Sequence, residues 1–209
     1  EIKAPHFLYH PFVCKKFQGH KVARHNAIIN TVLCDVFERA ATAINPNSLV
    51  TKEPLVRDVI ESVFVDPTEV YDKLLNRCHR PEGNNKKYMK FAGDAKFDIL
   101  IKIGDHYTCI DLGVVSPSSR KGANKFHVKQ QPGTIARDYR LKKASKYAPF
   151  LPRIGKPGSD RIEFVPFVIE LGGFVEEFGA KWLKTFLAKA GMRDELVRTH
   201  RLMAKSTAR

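Results

Sequence analysis

The chain has 209 residues, 43% of them hydrophobic, which is enough for one folded domain with a proper core and leaves room for a small appendage. No run approaches the apolar length of a membrane span and the N-terminus has no signal-peptide pattern; with Glu1 rather than Met first, the chain is expected to be an excised fragment. A net charge of +14 points to anionic partners, and four scattered cysteines (Cys14, Cys34, Cys78, Cys109) without a CxxC pair point to reduced thiols in a cytosolic or nuclear setting.

Residues 1–19 are aromatic, basic and broken by Pro5 and Pro11, and are expected to form an irregular arm ahead of a domain over 20–209. Apolar residues on helical spacing, Val22, Ile28, Ile29, Val32, Leu33, Val36 and Phe37, predict a helix over 20–44, stopped by Asn45-Pro46-Asn47-Ser48. A short strand over 49–53 ends at Pro54. Helices are expected over 55–65 and 67–78, the second opened by Asp66-Pro67. After a polar loop at 83–87 comes a β-hairpin over 96–113 with Gly104-Asp105 as its two-residue turn. The segment 116–125 is polar, basic and loop-like. A helix with Thr134 as N-cap runs to about Tyr147, and a strand over 162–170 contains Pro166, which suits an edge or a bulge. Gly172-Gly173 ends that strand, and helices over 175–190 and 192–204 close the chain. This mixed order favours an α/β sandwich: a small mixed β-sheet flanked by helices.

The hairpin carries the chemistry. With Gly104 and Asp105 in the loop, residues whose numbers sum to 209 stand opposite, so Asp98 meets Asp111 while Phe97, Ile99, Ile101, Ile110 and Leu112 share the other, core-facing side. Two like charges at that distance cost free energy unless something neutralises them, and a divalent cation is the expected partner. Strand acids also occur at edges paired with Lys or Arg, but two at matched register between apolar neighbours suggest a site. Glu53, at the end of the first strand, is a candidate third ligand.

Between Val115 and Lys156 there are eleven Lys and Arg against one acid, Asp138. That is the footprint of a phosphate-backbone binder, with Arg120, Lys121, Lys125, Lys129, Arg137, Arg140, Lys142 and Lys146 as candidate DNA contacts. An anionic membrane surface or plain solubility would use the same charge. Phosphodiester hydrolysis needs a neutralised phosphate, an activated water and help for the leaving oxygen; Mg²⁺ or Mn²⁺ on two carboxylates with a nearby Lys supplies these.

The order of motifs resembles the restriction-like endonuclease domain of site-targeting non-LTR (LINE-type) retrotransposons, a branch of the PD-(D/E)XK nucleases. Phe97-Asp98, twelve residues and Asp111 resemble its acidic pair, and Ile110-Asp111-Leu112-Gly113-Val114-Val115-Ser116-Pro117 its second acidic strand. Arg24-His25-Asn26 and Lys52-Glu53-Pro54 are similar to the approach to that domain. The segment from Arg140 to Tyr147 looks like its Lys-and-Tyr helix, and the stretch from Val165 to Gly173 like its closing strand. The resemblance covers residues 20–190 and implies a restriction-endonuclease-like core with extra helices, held in the nucleus. It implies an enzyme that nicks DNA with Mg²⁺, so that the freed 3′-hydroxyl primes reverse transcription. A larger parent protein would bind the element RNA through other domains. Phe97 replaces the Pro of the superfamily motif, and Gly113 stands where its Lys belongs. In this branch the Lys comes from the following helix; Lys143 is the choice here, one helical turn from both Tyr139 and Tyr147, with Lys142 and Lys146 as alternatives. If none reaches the aspartates, the chain is a binding-only module on a nuclease-derived scaffold. A third reading is a structural domain whose basic loop docks on a protein or membrane.

His20-x4-His25 is similar to half of the zinc-binding segment that precedes the nuclease in these elements. With His10 and Cys14 it makes a candidate Zn²⁺ site, although the upstream cysteine pair is missing and zinc favours tight ligand pairs. The alternative is structural, with His25 lining the first helix. Cys109 is expected to be a small buried residue.

Overall fold

The structure is a computed structural model that describes residues 18–63, 95–115, 133–147, 161–171 and 173–208. The expected helix over 67–78 and the two basic or polar loops fall outside them. The architecture is α/β, a four-stranded mixed sheet in the order β1-β2-β3-β4 with helices packed on it. In chain order come α1 (Gln18–Ile28), a π-helical turn (Ile29–Leu33), α2 (Cys34–Ile44), β1 (Leu49–Lys52), α3 (Val56–Val63), β2 (Ile99–Ile103), β3 (His106–Val115), α4 (Thr134–Tyr147), β4 (Ile162–Glu170), α5 (Glu177–Lys189) and α6 (Glu195–Ala208).

Two compact units divide the chain: one holds Glu1–Val36, Leu112–Leu141 and Phe167–Arg209, the other Phe37–Asp111 and Lys142–Pro166. In the first, α6 packs on α1, on the π turn and on α5. The helix expected over 20–44 is present but widened at Ile29–Leu33, where Cys34 N–H reaches back five residues to Ile29 O. Thr31 also sends its hydroxyl to the Ala27 carbonyl, competing for backbone acceptors in that turn. Ala136 and Ile135 of α4 pack on Val115 and Val168. Thr134 is the first residue of α4 rather than the cap ahead of it.

The second unit is built around α3. Its Val56, Val59, Ile60 and Val63 recur at helical spacing and are all buried. They join Ala95, Phe97, Leu100, Tyr107, Cys109 and Tyr147 in one core, with Ile162 and Phe164 packed against it. Phe97, Tyr147 and Phe164 form a triangle of tilted rings with centroids 5.0, 5.9 and 4.9 Å apart. Such pairs are each worth roughly 0.5–1.5 kcal/mol beyond simple burial. Ile99, Ile101 and Ile110 are buried on the opposite side, so β2 and β3 are covered on both faces, as their central place requires. β1 is a short edge strand, with Leu49 57% exposed. β4 is the other edge, where Pro166 costs no ladder bond that a central strand would need.

Candidate functional site

Register comes first. The Gly104-Asp105 turn, with Gly104 at φ +59°, pairs Ile103 with His106 and carries the hairpin antiparallel to Ile99 opposite Ile110. Up to that point the numbers sum to 209, as expected from the sequence. Then the ladder slips. Asp98 N–H donates to Ile110 O at 2.9 Å, so Asp98 and Ile99 both address Ile110, the two-against-one arrangement of a β-bulge. On the other side Asp98 O accepts from Glu53 N–H at 3.0 Å.

The bulge corrects one expectation. Strict alternation puts Phe97 on the face of Ile99 and Ile101. Instead the extra residue turns it over, and Phe97 joins Leu100, Tyr107 and Cys109 against Tyr147. Cys109 is buried as expected, and burial pushes its thiol pKa well up.

Asp111 comes from β3 and is only 6% exposed. Lys143, from α4, donates to its Oδ2 at 2.7 Å, and the two side chains are 12% and 8% exposed. This is the lysine chosen from the sequence. Burial pushes the Asp111 carboxyl above its ordinary value, Lys143 pulls it back, and the Asp98 charge pushes it up again.

One turn on from Lys143, Lys146 Nζ donates to Tyr147 Oη at 3.0 Å, and Tyr147 Oη donates to Lys96 O at 3.0 Å. Partial burial pushes the Lys146 ammonium pKa down; Asp111 opposes this, Lys143 adds to it, and Asp98 opposes it. Tyr147 is buried, whereas Tyr139 is 40% exposed. The sequence identified Tyr147 as a neighbour of the lysine but not its hydroxyl's role. Lys96 had no signal beyond standing two residues before Asp98.

Glu53 sits at φ +49°, a backbone region that non-glycine residues rarely adopt. Its carboxylate pairs with Lys96 Nζ at 3.1 Å on the surface. Among the described residues no three His, Cys, Asp or Glu side chains converge to hold a metal, so Glu53 does not complete a three-ligand set with Asp98 and Asp111. Two carboxylates are nonetheless a sufficient donor set for Mg²⁺, which keeps waters and takes substrate phosphate oxygens as its remaining ligands. Asp98 and Asp111, on the two arms of the hairpin, are the residues that would hold such an ion.

Of the DNA-contact candidates, Arg137 and Lys142 are exposed on α4. Arg140 is engaged: its Nε donates to Glu176 Oε1 at 3.0 Å and its guanidinium lies 5.4 Å from the Phe178 ring. Arg120, Lys121, Lys125 and Lys129 lie outside the described residues, as do His10 and Cys14 of the zinc candidate. His20 falls on α1 with only its backbone described. His25 is half-buried, with Nδ1 3.2 Å from Asn26 Oδ1. No protein-family model and no curated protein matches this chain. No described helix is long and apolar enough to cross a membrane.

Proposed function

We propose that this chain is a metal-dependent DNA endonuclease of the PD-(D/E)XK type. It would hydrolyse one strand at a time, with Asp98 and Asp111 holding Mg²⁺ or Mn²⁺. One observation carries the reading: a mostly buried Lys143–Asp111 ion pair at 2.7 Å beside a second carboxylate, on a hairpin and a helix separated by 32 residues. A fold gains little stability from burying such a cluster, because desolvation of the charges offsets most of their attraction. A charged cluster retained against that cost, with burial pushing the Asp111 carboxyl up, is what acid–base chemistry needs.

The bound ion would neutralise phosphate oxygens and favour ionisation of an attacking water. The chain's own residues do the rest. Asp98 and Asp111 form the anionic cradle, Lys143 favours the charged form of Asp111 against the effect of its burial, and the exposed Arg137 and Lys142 draw in the phosphate backbone. Nicking in the nucleus that exposes a 3′-hydroxyl primer for reverse transcription, with element RNA bound elsewhere in a larger protein, is the role the motif order supports.

A binding-only module is the second reading, and it has its own observation: Glu53 is turned to Lys96 and no three-ligand metal set forms among the described residues. Supercoiled plasmid with Mg²⁺, Mn²⁺ or EDTA separates the two. Metal-dependent nicking, lost in Asp98→Ala and Asp111→Ala while DNA binding persists, is the expected result. DNA binding without nicking by folded protein in either metal would leave the binding module.

A further inference from the structure

Two aromatic rings of the first unit are held in place without being covered. Phe174 is 48% and Phe178 40% exposed, while Val175 and Gly179 beside them are buried. Phe174 closes a tight turn in which Gly173 N–H donates to Glu170 O and Glu170 N–H donates to Phe174 O. Its ring edge then lies over Gly133, where a Cβ would stand 3.0 Å from Cε1 and 3.3 Å from Cζ. Gly133 is at φ +87°, so both the backbone and the ring call for glycine there. Phe178 sits against the Arg140 guanidinium, 5.4 Å from the ring centroid, and Arg140 is itself fixed by Glu176. Each ring therefore has a seat, and the rest of its surface faces solvent.

Both seats lie along one stripe. Gly133, Arg137 and Arg140 follow at intervals of four and three residues and share a face of α4, and Arg137 N–H donates to Gly133 O across the first turn. The rise of a helix puts the two seats about 10 Å apart. Arg137 stands between them and is exposed. Asp138 falls off that stripe by helical spacing. Arg140 and Glu176 cancel as a pair, which leaves Arg137 and Lys181, one turn beyond Phe178 on α5, as exposed cations beside the single exposed acid Glu177. All of these residues belong to the first unit.

We propose that Phe174 and Phe178 are stacking platforms for unpaired bases, with Arg137 on the phosphate between them, so that this face takes single-stranded DNA. In a duplex the flat faces of the bases are hidden in the stack, and an exposed ring has nothing to pack on. In a single strand every base offers such a face, and cations interleaved with rings suit its backbone. A strand rises about 3.4 Å per nucleotide when stacked and more when drawn out, so the gap between the seats corresponds to two or three nucleotides. Fixing the rings in advance lowers the ordering cost of binding. The choice of DNA rests on the nuclease reading; the stacking surface requires no metal and is measured without cleavage.

The test uses the full chain in EDTA, with anisotropy of labelled oligo-dT, a duplex of the same length and oligo-U. Phe174→Leu and Phe178→Leu keep apolar bulk and remove the flat face; each should weaken oligo-dT by about 5-fold or more and leave the duplex unchanged. Phe178→Tyr, which keeps the ring, should bind oligo-dT like wild type. Arg137→Gln should make the log–log salt dependence for oligo-dT shallower by about 0.7. In the unaltered chain, oligo-dT carrying 5-iododeoxyuridine should photocrosslink to Phe174 or Phe178, located by mass spectrometry. Equal losses on single strand and duplex, or crosslinks confined to other peptides, overturn the proposal. Ring-dependent binding of oligo-U that is tighter than that of oligo-dT overturns the assignment to DNA. Dimerisation of the wild type that the leucine variants abolish also overturns it, because the rings would then be a self-association face. None of these results touches metal-dependent plasmid nicking, and a chain that fails to nick still gives a clear answer in every binding arm.

Discussion

Replacing Lys143 with Met keeps the length of the side chain and removes its charge, leaving Asp111 without its 2.7 Å partner. Breaking a buried pair from one side costs about 3–5 kcal/mol, and the lower end applies because Lys146 still faces Asp111. For a chain of this length about 3 kcal/mol lowers Tm by roughly 6–12 °C. The sign of the pH dependence follows from Asp111. Its carboxyl is raised in the folded state, so the native form holds the proton more tightly than the unfolded form, whose ordinary value is 3.8. Between that value and the raised one, stability falls as pH rises; below both, the carboxyl carries no penalty. Losing Lys143 raises the carboxyl further and widens the window. Lys143→Met should therefore be much less stable than wild type at neutral pH, with the gap closing as pH falls toward 4. Lys143→Met/Asp111→Asn, which buries neither charge, should recover most of the loss. Urea unfolding at four or five pH values checks this. A gap that is absent, or constant across pH, would refute a buried ion pair at the site.

Other changes have clear outcomes. Gly173 sits at φ +89° with Ala204 against the place where a Cβ would stand, its Cα only 2.5 Å away, so Gly173→Ala should cost at least about 2 kcal/mol in urea unfolding. Glu176 caps α5 through Phe178 N–H at 3.0 Å and holds Arg140, so Glu176→Ala should lose about 2–3 kcal/mol by the same assay. Cys109 should resist iodoacetamide at pH 8 until denaturant opens the core; rapid native labelling, located by mass spectrometry, would show that the cluster around it is not closed. DNA affinity should fall steeply with salt. With Arg140 taken by Glu176 and Lys146 by Tyr147, six of the eight basic candidates remain, giving a log–log slope of about −5 at most.

Features set by local chemistry were legible in the sequence. A Gly-Asp pair between alternating apolar residues names its own turn, and the turn fixes the register through Ile99 and Ile110. The strand over 162–170 was readable because its apolar run is bounded by breakers. Lys143 could be chosen because helical spacing puts it one turn from Tyr147, which a buried ring anchors. What depends on partners far along the chain was not legible. The N-cap at Glu176 looks, in sequence, like any acidic pair before a helix; its meaning comes from Arg140, 36 residues earlier. The closing helix, expected over 192–204, starts and ends later at Glu195–Ala208 because Met192 N–H still closes α5 onto Leu187 O.

The bulge at Asp98 was the least legible feature and has the largest consequence for the site. Alternation alone would have paired the two aspartates and sent Phe97 to the far face. The extra residue instead sends Phe97 to Tyr147, and Tyr147 ties the lysine-bearing turn of α4 to Lys96. A single irregularity thus links the acid strand and the basic helix. It also separates folding from chemistry at Asp98, whose N–H and C=O are both satisfied by main chain, from Ile110 on one side and Glu53 on the other. Since the backbone holds that residue in place, changing its carboxylate to an amide should spare the fold. Lost function in Asp98→Asn, with unfolding unchanged, could then be attributed to the charge.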